Sequence, residues 1–470
     1  MSEYQLIIDG QRVSSPTTFA VLNPADESTV ADCPQGTVEQ LDEAVAAAKR
    51  AFPGWAALPD AQRVQMLNEI ADRIDAQKLE LAQLITQEQG KSLNGPGSRF
   101  EVGGAAAWTR VTAGLELPVE VLQDDEQGKI EIHRRPVGVV GSITPWNWPF
   151  IIAAWHIMPA LRVGCTLVIK PSPFTPLSTL KLVEIINEVV PAGVVNVVTG
   201  DADVGNRMST HPDIDKIVFT GSIATGKHVM KNASDSLKRL TLELGGNDAG
   251  IILPGTDIAS KIDGLFWGCF INAGQTCAAL KRLYVHEDQY EEVTSALVNY
   301  IANVKVGPGL DEDTAIGPLS NKMQFEKVAA MVEEARAEGA RVLCGGDPAE
   351  TPGYFYPLTV LADVTDEMRI VREEQFGTVI PVLKYSDLDD AVERANALEV
   401  GLGGSAWGDD IAAATAVAQR LKCGTAWVNQ HGALNPLAPF GGVKCSGMGV
   451  QFNVDGLREY TTVQVVNVAA

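Results

Sequence analysis

Cysteine is scarce in this sequence, and no cysteine has a partner at short spacing. Seven occur in 470 residues, an odd number, with no C-x-x-C pair and no Cys/His cluster at zinc spacing. This pattern argues against a disulfide framework and against a structural metal site. We therefore expect a reduced, cytoplasmic protein without a bound metal.

Basic residues are also in short supply, and no apolar run is long enough for a bilayer. Lysine and arginine total 37 against 59 aspartates and glutamates, which gives a formal net charge of −22. Such an acidic surface repels phosphate backbones and anionic lipid. The longest apolar stretch, Trp148 to Leu161, is short and contains His156. We expect neither nucleic acid nor a membrane as a partner, and the N-terminus has no secretory signal pattern.

The chain does have the composition of an ordinary globular protein, with 46% apolar and 20% charged residues. Residues 37–112 have apolar side chains at helical spacing after a capping-box pattern at Thr37 and Gln40. Residues 118–136 predict a β-hairpin around the polar turn DDEQGK.

Two series of short β-rich runs alternate with helical segments in the rest of the chain. The first runs cover 137–143, 166–170, 194–199, 215–219 and 238–242; the second cover 248–252, 281–286, 378–383, 401–406 and 424–428. This alternation predicts an α/β fold with two doubly wound α/β domains plus a small β element. Ligands of such sheets bind at the carboxyl ends of the strands.

We expect three units from these patterns: residues 1–117 with 137–245, residues 246–452, and residues 118–136 with 453–470. The last residues, TTVQVVNVAA, would form an exposed sheet edge unless another strand covers them. Pairing with the 118–136 hairpin of another subunit would cover this edge. The expected assembly is then a homodimer or homotetramer.

The segment GSIATGK, from Gly221 to Lys227, nearly matches the phosphate loop of nucleotide hydrolases. His228 stands where that loop needs a hydroxyl ligand for magnesium, so hydrolase activity is disfavoured. Ser222 and the free N–H groups at a helix N-terminus could still hold a phosphate. The alternative is a glycine turn that packs the helix close to the sheet.

Three residues are candidates for catalysis, each with a structural alternative. Cys277, between Gly274 and small alanines, is either a reactive thiol or an inert core cysteine. Glu243 ends an apolar strand, where a carboxylate acts as a general base or forms an ion pair. Asn147 in TPWNWP could donate a hydrogen bond to an oxyanion or simply stabilise a turn.

Taken together, these segments resemble the aldehyde dehydrogenase superfamily over essentially the whole chain. The matching motifs, in the family's order, are TPWNWP, VIKPSPFTP, FTGS followed by Gly226, ELGG, GQTC, EEQFG and PFGGVKCSG. The resemblance implies that 1–117 with 137–245 binds the cofactor, 246–452 is catalytic, and the third unit mediates oligomerisation.

The resemblance also implies roles for individual residues in oxidation of an aldehyde to a carboxylic acid with NAD or NADP. Cys277 would be the nucleophile, Asn147 the oxyanion donor and Glu243 the base that activates water. The cofactor would bind Ile143, Thr144, Trp146, Lys170, Gly205, Gly221, Ser222, Gly245, Glu374 and Phe376. The substrate pocket would comprise Trp148, Trp155, Ile271, Thr276, Ala278, Leu434 and Phe440, with His156 and His431 nearby.

Pro173 departs from the family pattern, since many NAD-preferring members have glutamate three residues after the lysine matched by Lys170. Without that carboxylate both NAD and NADP remain open.

The apolar pocket favours an uncharged, medium-sized or aromatic aldehyde. The rival functions are a CoA-acylating semialdehyde dehydrogenase, disfavoured by Glu243, and a non-catalytic cofactor-binding relative.

Overall fold

The computed structural model describes residues 4–470, and its N-terminal part consists of short antiparallel strands followed by four helices. The elements are β1 (Leu6–Ile8), β2 (Gln11–Val13), β3 (Thr17–Leu22), β4 (Thr29–Gln35), α1 (Val38–Ala56), α2 (Asp60–Ala76), α3 (Lys78–Gln89) and α4 (Ser98–Gly114). The capping box at the start of α1 is confirmed: Thr37 accepts from the N–H of Gln40, and the Gln40 side chain accepts from the N–H of Thr37. The four strands have no clear alternation and were not predicted from the sequence.

The hairpin and the first alternating series are confirmed. They form β5 (Glu120–Asp125), β6 (Gly128–Pro136), β7 (Val139–Ile143), α5 (Pro149–Val163), β8 (Thr166–Lys170), α6 (Leu177–Asn187), β9 (Val195–Val197), α7 (Ala202–Thr210), β10 (Lys216–Thr220), α8 (Ile223–Ala233) and β11 (Arg239–Glu243). The parallel strands lie in the order β9-β8-β7-β10-β11. From β7 the chain first adds strands on one side of the sheet and then, with β10, on the other. Folds of this kind bind ligands at that point, between β7 and β10.

The second series forms a second sheet, in the order β14-β15-β16-β13-β12-β18-β19. Its elements and the C-terminal ones are β12 (Asp248–Ile252), α9 (Ile262–Phe270), β13 (Leu280–His286), α10 (Tyr290–Ile301), α11 (Lys322–Ala337), β14 (Arg341–Cys344), β15 (Thr359–Ala362), α12 (Arg369–Arg372), β16 (Val379–Tyr385), α13 (Leu388–Asn396), β17 (Val400–Gly401), β18 (Gly403–Trp407), α14 (Ile411–Ala418), β19 (Thr425–Val428), β20 (Val443–Lys444), β21 (Gly447–Met448), α15 (Asn453–Arg458) and β22 (Thr461–Ala469).

The two sheets meet edge to edge. β11 ends at Glu243 and β12 begins at Asp248, so the carboxyl ends of the strands in the first sheet face the amino ends of the strands in the second. The residues before β13 and β16 lie at that same amino edge, because both strands run parallel to β12 in one sheet. Loops from both sheets therefore converge on one cleft.

The expected pairing of the C-terminal tail across subunits was wrong. β22 pairs antiparallel with β6 of its own chain, from Thr461 opposite Pro136 to Ala469 opposite Gly128. β21 also returns to the first sheet, where it pairs with β11. No helix within residues 4–470 is both long and apolar enough to cross a membrane.

Candidate active site

A cleft of about 290 Å³ lies where the two sheets meet. Nine of the predicted catalytic and cofactor residues line it: Trp146, Asn147, Gly221, Ser222, Glu243, Gly245, Cys277, Glu374 and Phe376. They follow β7 and β10, end or follow β11, and precede β13 and β16. Residues scattered over more than 200 positions are thus brought together by the meeting of two sheet edges.

The loop that carries Cys277 has an unusual backbone. Asn272, Ala273 and Gly274 all have positive φ, at 51°, 56° and 74°. Such conformations cost free energy for residues with a β-carbon and are typical of functional sites. The Asn272 side-chain amide fixes the loop by donating to the backbone carbonyl of Asn147 at 2.8 Å.

Cys277 is half-buried among groups that mostly oppose its ionisation. Burial raises the pKa of the Cys277 thiol to about 12, and the carboxylates of Glu374, Glu243 and Asp248 push it in the same direction. The ammonium of Lys281 acts in the opposite sense and favours the thiolate. These contributions favour the protonated thiol, and a reaction of Cys277 as a thiolate would first require its deprotonation.

Glu243 is 4% exposed at the end of β11, and neither carboxylate oxygen has a hydrogen-bond partner in the described chain. Burial, with a smaller contribution from Glu459, raises the pKa of the Glu243 carboxyl well above its ordinary value. A carboxylate whose pKa is raised in this way is a stronger proton acceptor than an ordinary glutamate. The alternative of an ion pair at the strand end is not what the structure has.

Asn147 is buried at the end of the loop after β7, and its Nδ2 donates to the carbonyl of Gln275 at 2.9 Å. The amide has two N–H groups, so this bond leaves a second donor. Asn147 lines the same cleft as Cys277, which is the position that an oxyanion donor requires.

A buried ion pair contacts the backbone of the segment that contains Asn147. The side chains of Lys91 and Glu101 are 1% and 0% exposed and approach to 2.5 Å. Lys91 Nζ also donates to the backbone carbonyl of Asn147 at 2.9 Å and lies 3.5 Å from the ring centroid of Trp148. Glu101 accepts from the N–H of Phe150 in the first turn of α5.

The cofactor side of the cleft has features that fit a dinucleotide. Ser222 caps α8, whose N-terminus carries the partial positive charge that attracts a phosphate. The Thr144 hydroxyl is buried without a partner among the described residues, so a donor or acceptor is available there. The rings of Trp146 and Phe376 meet edge to face, with centroids 5.3 Å apart.

The remaining cofactor candidates lie around this cleft rather than in its wall. Lys170 is buried at the end of β8 and donates to the carbonyls of Pro171 and Gly200, both at 3.0 Å. Gly205 packs against the Lys170 side chain. Ile143 is part of the hydrophobic core under the first sheet.

The residues predicted for the substrate pocket divide between two apolar clusters, and Cys277 packs against one of them. Ala278 and Phe440 pack in one cluster, and Cys277 and Leu434 pack against it. The Trp148 indole donates to the Thr276 hydroxyl at 2.9 Å. Ile271 and Trp155 pack against the hydrophobic core that contains Trp148.

The two histidines expected near the entrance do not point into it. His156 is fully buried and hydrogen bonds with the hydroxyls of Ser142 and Thr220, both at 2.9 Å. Burial lowers the pKa of His156 to about 3, so its ring is neutral. The His431 side chain is also buried and lies against Asp248. Neither can assist a polar substrate at the entrance.

Sequence reasoning missed several residues at the site. Lys281, Lys327 and Gln324 contact the Glu374–Phe376 loop, and Trp108 and Phe452 pack on Trp155. The spacing of Lys281, four residues after Cys277, was the one available signal. The others come from distant helices and the C-terminal segment, and no local pattern connects them with the cleft.

The comparisons with known proteins agree with this geometry. The model of the aldehyde dehydrogenase family matches residues 12–466. Phenylacetaldehyde dehydrogenase of Pseudomonas fluorescens is 37% identical over 99% of this chain and 96% of its own, and chloroplastic betaine aldehyde dehydrogenase of Beta vulgaris is 37% identical over 98% and 95%. The NAD+ complex of aldehyde dehydrogenase from Bacillus cereus superposes with a TM-score of 0.97 at 39% identity, covering 99% of this chain and 96% of that one. This chain belongs to the aldehyde dehydrogenase family and is an NAD(P)-dependent aldehyde dehydrogenase.

Proposed function

We propose that Cys277, Asn147 and Glu243 carry out a hydrolytic aldehyde oxidation in this chain. The observation that supports this proposal is that all three line one cleft, with Glu243 buried and unpaired beside the nucleophile. The presence of that base also favours water over coenzyme A as the acceptor of the acyl group.

The chemistry follows from the chain's own groups. The Cys277 thiolate forms a bond to the aldehyde carbon, and the Asn147 amide donates to the resulting oxyanion. The nicotinamide, when bound, supplies the acceptor for the hydride that leaves this carbon. Loss of the hydride leaves a thioester on Cys277. Glu243 then removes a proton from water, whose oxygen attacks the thioester carbon; the carbon–sulfur bond breaks, which releases the Cys277 thiolate and the carboxylic acid.

We propose an aromatic or medium-sized apolar aldehyde as the substrate. Phe440, Leu434 and Cys277 pack in one apolar cluster that also includes Phe452. The Phe452 ring makes edge-to-face contacts with Trp108 and Trp155. Such walls exclude water and favour uncharged ligands. The similarity to a phenylacetaldehyde dehydrogenase also supports this proposal.

We propose that the enzyme uses both NAD+ and NADP+. Pro173 is exposed and provides no carboxylate to repel a ribose phosphate. Lys170, three residues earlier at the end of β8, supplies a buried cation on this side of the cleft.

We propose that the three-stranded sheet of β22, β6 and β5 joins subunits in a homodimer or homotetramer. Val463, Val465, Val121 and Leu122 are each more than half exposed there. They lie on β22 and β5, the two edge strands of this sheet, and exposed apolar side chains on edge strands are typical of an interface. The seven cysteines are all free, which fits the cytoplasmic location that we propose.

The test is reduced-cofactor formation with phenylacetaldehyde, propionaldehyde and a carboxylated semialdehyde, each with NAD+ and NADP+. We expect the highest kcat/KM for phenylacetaldehyde, no turnover in Cys277→Ala, and no stimulation by coenzyme A. Undiminished activity in Cys277→Ala would overturn the assignment of the nucleophile. A preference for the carboxylated substrate would overturn the proposed substrate class.

A further inference from the structure

Lys281 is a buried lysine in contact with both the nucleophile loop and the cofactor loop. It is the second residue of β13, and its side chain is 3% exposed. Its Nζ donates to the backbone carbonyl of Cys277 at 2.5 Å and lies 3.1 Å from Oε1 of Glu374. The ammonium is also 5.9 Å from the ring centroid of Phe376.

A buried lysine lowers the stability of the protein unless other groups interact favourably with its charge. Removing an ammonium from water carries a free-energy penalty that an apolar side chain of similar length would avoid. One carboxylate, Glu374, is its ion-pair partner, and the other contact is to the carbonyl of Cys277 itself. Both contacts lead to residues of the cleft.

The charges around Cys277 give Lys281 a distinct effect. The charged groups that act on the thiol from the surrounding elements are Glu243 at the end of β11, Asp248 on β12, Glu374 before β16, and Lys281 on β13. Three of these are acids, and Lys281 is the one cation among those four. A nearby cation favours a thiolate, whereas burial and nearby acids oppose it.

Lys327 provides an internal comparison. It lies on α11 and donates to the backbone carbonyl of Glu374 at 2.7 Å, but it does not bond to the Cys277 loop. Glu374 is therefore held by two lysines, and one of the two also contacts the nucleophile loop.

We propose that Lys281 is a positioning residue that fixes the Cys277 loop and supplies the positive charge that favours the Cys277 thiolate. Glu374 holds the ammonium in place and partly neutralises it, so the cofactor loop and the nucleophile are electrostatically coupled. The inference rests on the proposed function of Cys277 as nucleophile.

The test is the rate at which iodoacetamide alkylates Cys277, followed by mass spectrometry of the peptide that contains it, from pH 6 to 10. Alkylation needs neither aldehyde nor cofactor, so its outcome is independent of the activity assay with Cys277→Ala. We expect Lys281→Met to slow alkylation roughly tenfold at pH 8. The reason is that loss of the cation raises the pKa of the Cys277 thiol, and a rise of about one unit reduces the thiolate fraction tenfold. Lys327→Met, the matched control, is expected to change the rate less than about threefold.

Glu374→Gln provides a second test of opposite sign. Removing this anion leaves the Lys281 charge unneutralised, so we expect alkylation to become about threefold faster or more. Circular dichroism melting establishes that each variant is folded, and if Lys281→Met is not, Glu374→Gln decides. An unchanged rate in folded Lys281→Met, or slower alkylation in Glu374→Gln, would overturn the proposal.

Discussion

A β-carbon added to Gly274 would lie 2.0 Å from the carbonyl oxygen of Gly377. The loop that carries Cys277 and the loop that carries Glu374 therefore touch backbone to backbone. Gly274 also has a φ of +74°, a conformation that residues with a β-carbon rarely adopt. Only glycine satisfies both requirements, so this contact fixes the position of the Cys277 loop relative to the Glu374 loop.

We expect Gly274→Ala to lower kcat/KM at least tenfold and to destabilise the protein by about 3 kcal/mol, since backbone strain and a steric clash combine. Gly255→Ala is the matched control, because Gly255 has a φ of +79° and open space around it. That control should lose only the conformational cost of about 1–2 kcal/mol and keep its activity. Urea unfolding and initial rates check both. Equal losses in the two variants would contradict the importance of the contact.

Glu243→Gln should separate the two halves of the reaction. Acylation of Cys277 does not need the base, so a burst of reduced cofactor is expected, followed by turnover at least a hundredfold slower. In the parent enzyme, kcat should rise with pH through the raised pKa of Glu243, because the base works only when deprotonated. Stopped-flow absorbance measures the burst. A missing burst, with a normally folded variant, would show that Glu243 acts before hydride transfer.

The same variant should be more stable than the parent at pH 8. A buried carboxyl with a raised pKa favours folding below its ordinary value of 4.5 and loses that contribution as the pH rises towards the raised value. Glutamine removes this penalty, with a gain of roughly 1–3 kcal/mol. Glu459→Gln should instead destabilise the protein, because the buried Lys216 ammonium lies 3.7 Å from Glu459.

The sequence allowed the parallel strands to be predicted closely, and physical reasons explain where this failed. β8 was predicted to its last residue, because a strand buried on both faces is a continuous apolar run bounded by breakers. β21 has two residues and pairs with β11 through contacts that only the folded chain creates. The tail was predicted to need a partner strand, but a hairpin in the same chain and one in another subunit satisfy an exposed edge equally well.

In the site, too, residues in local motifs were predicted and residues placed by long-range contacts were missed. Cys277, Asn147 and Glu243 stand in short local motifs, and all three line the cleft. Lys91 and Glu101 were missed because their partners are backbone groups more than 45 positions away, which no local pattern reveals.

Pro173→Glu should shift the enzyme towards NAD+. A carboxylate near the adenosine ribose would repel a ribose phosphate, and we expect kcat/KM with NADP+ to fall about tenfold while the value with NAD+ is maintained. Pro173→Gln is the control, since it removes the proline without adding charge. A similar fall in both variants would mean that the proline itself, not the missing carboxylate, determines cofactor use.

Charge on the exposed face of β22 should weaken the proposed assembly. Val463 and Val465 are 53% and 57% exposed and lie on the same face of the strand. Replacing both with lysine is expected to give a smaller particle by light scattering, because like charges would meet at the interface. Leu79→Lys, at a 66% exposed position on α3, should leave the mass unchanged. An unaltered mass in the double variant would remove this sheet as the interface.

The buried pair of Lys91 and Glu101 should matter for both stability and activity. Lys91→Met leaves Glu101 charged and unpaired in the core, which costs about 3–5 kcal/mol. Lys91→Met combined with Glu101→Gln should recover at least half of this loss, because no uncompensated charge remains. Arg110→Met breaks surface pairs with Asp72 and Asp75 and should cost less than about 1 kcal/mol.

The activity of these variants distinguishes support of the fold from support of Asn147. Lys91 Nζ donates to the Asn147 carbonyl, so the double variant, although more stable than Lys91→Met, should keep a reduced kcat with little change in the KM for cofactor. Urea unfolding combined with steady-state kinetics measures both quantities. A kcat that recovers together with stability in the double variant would show that the pair acts on the fold alone, because the hydrogen bond to Asn147 is absent from both variants.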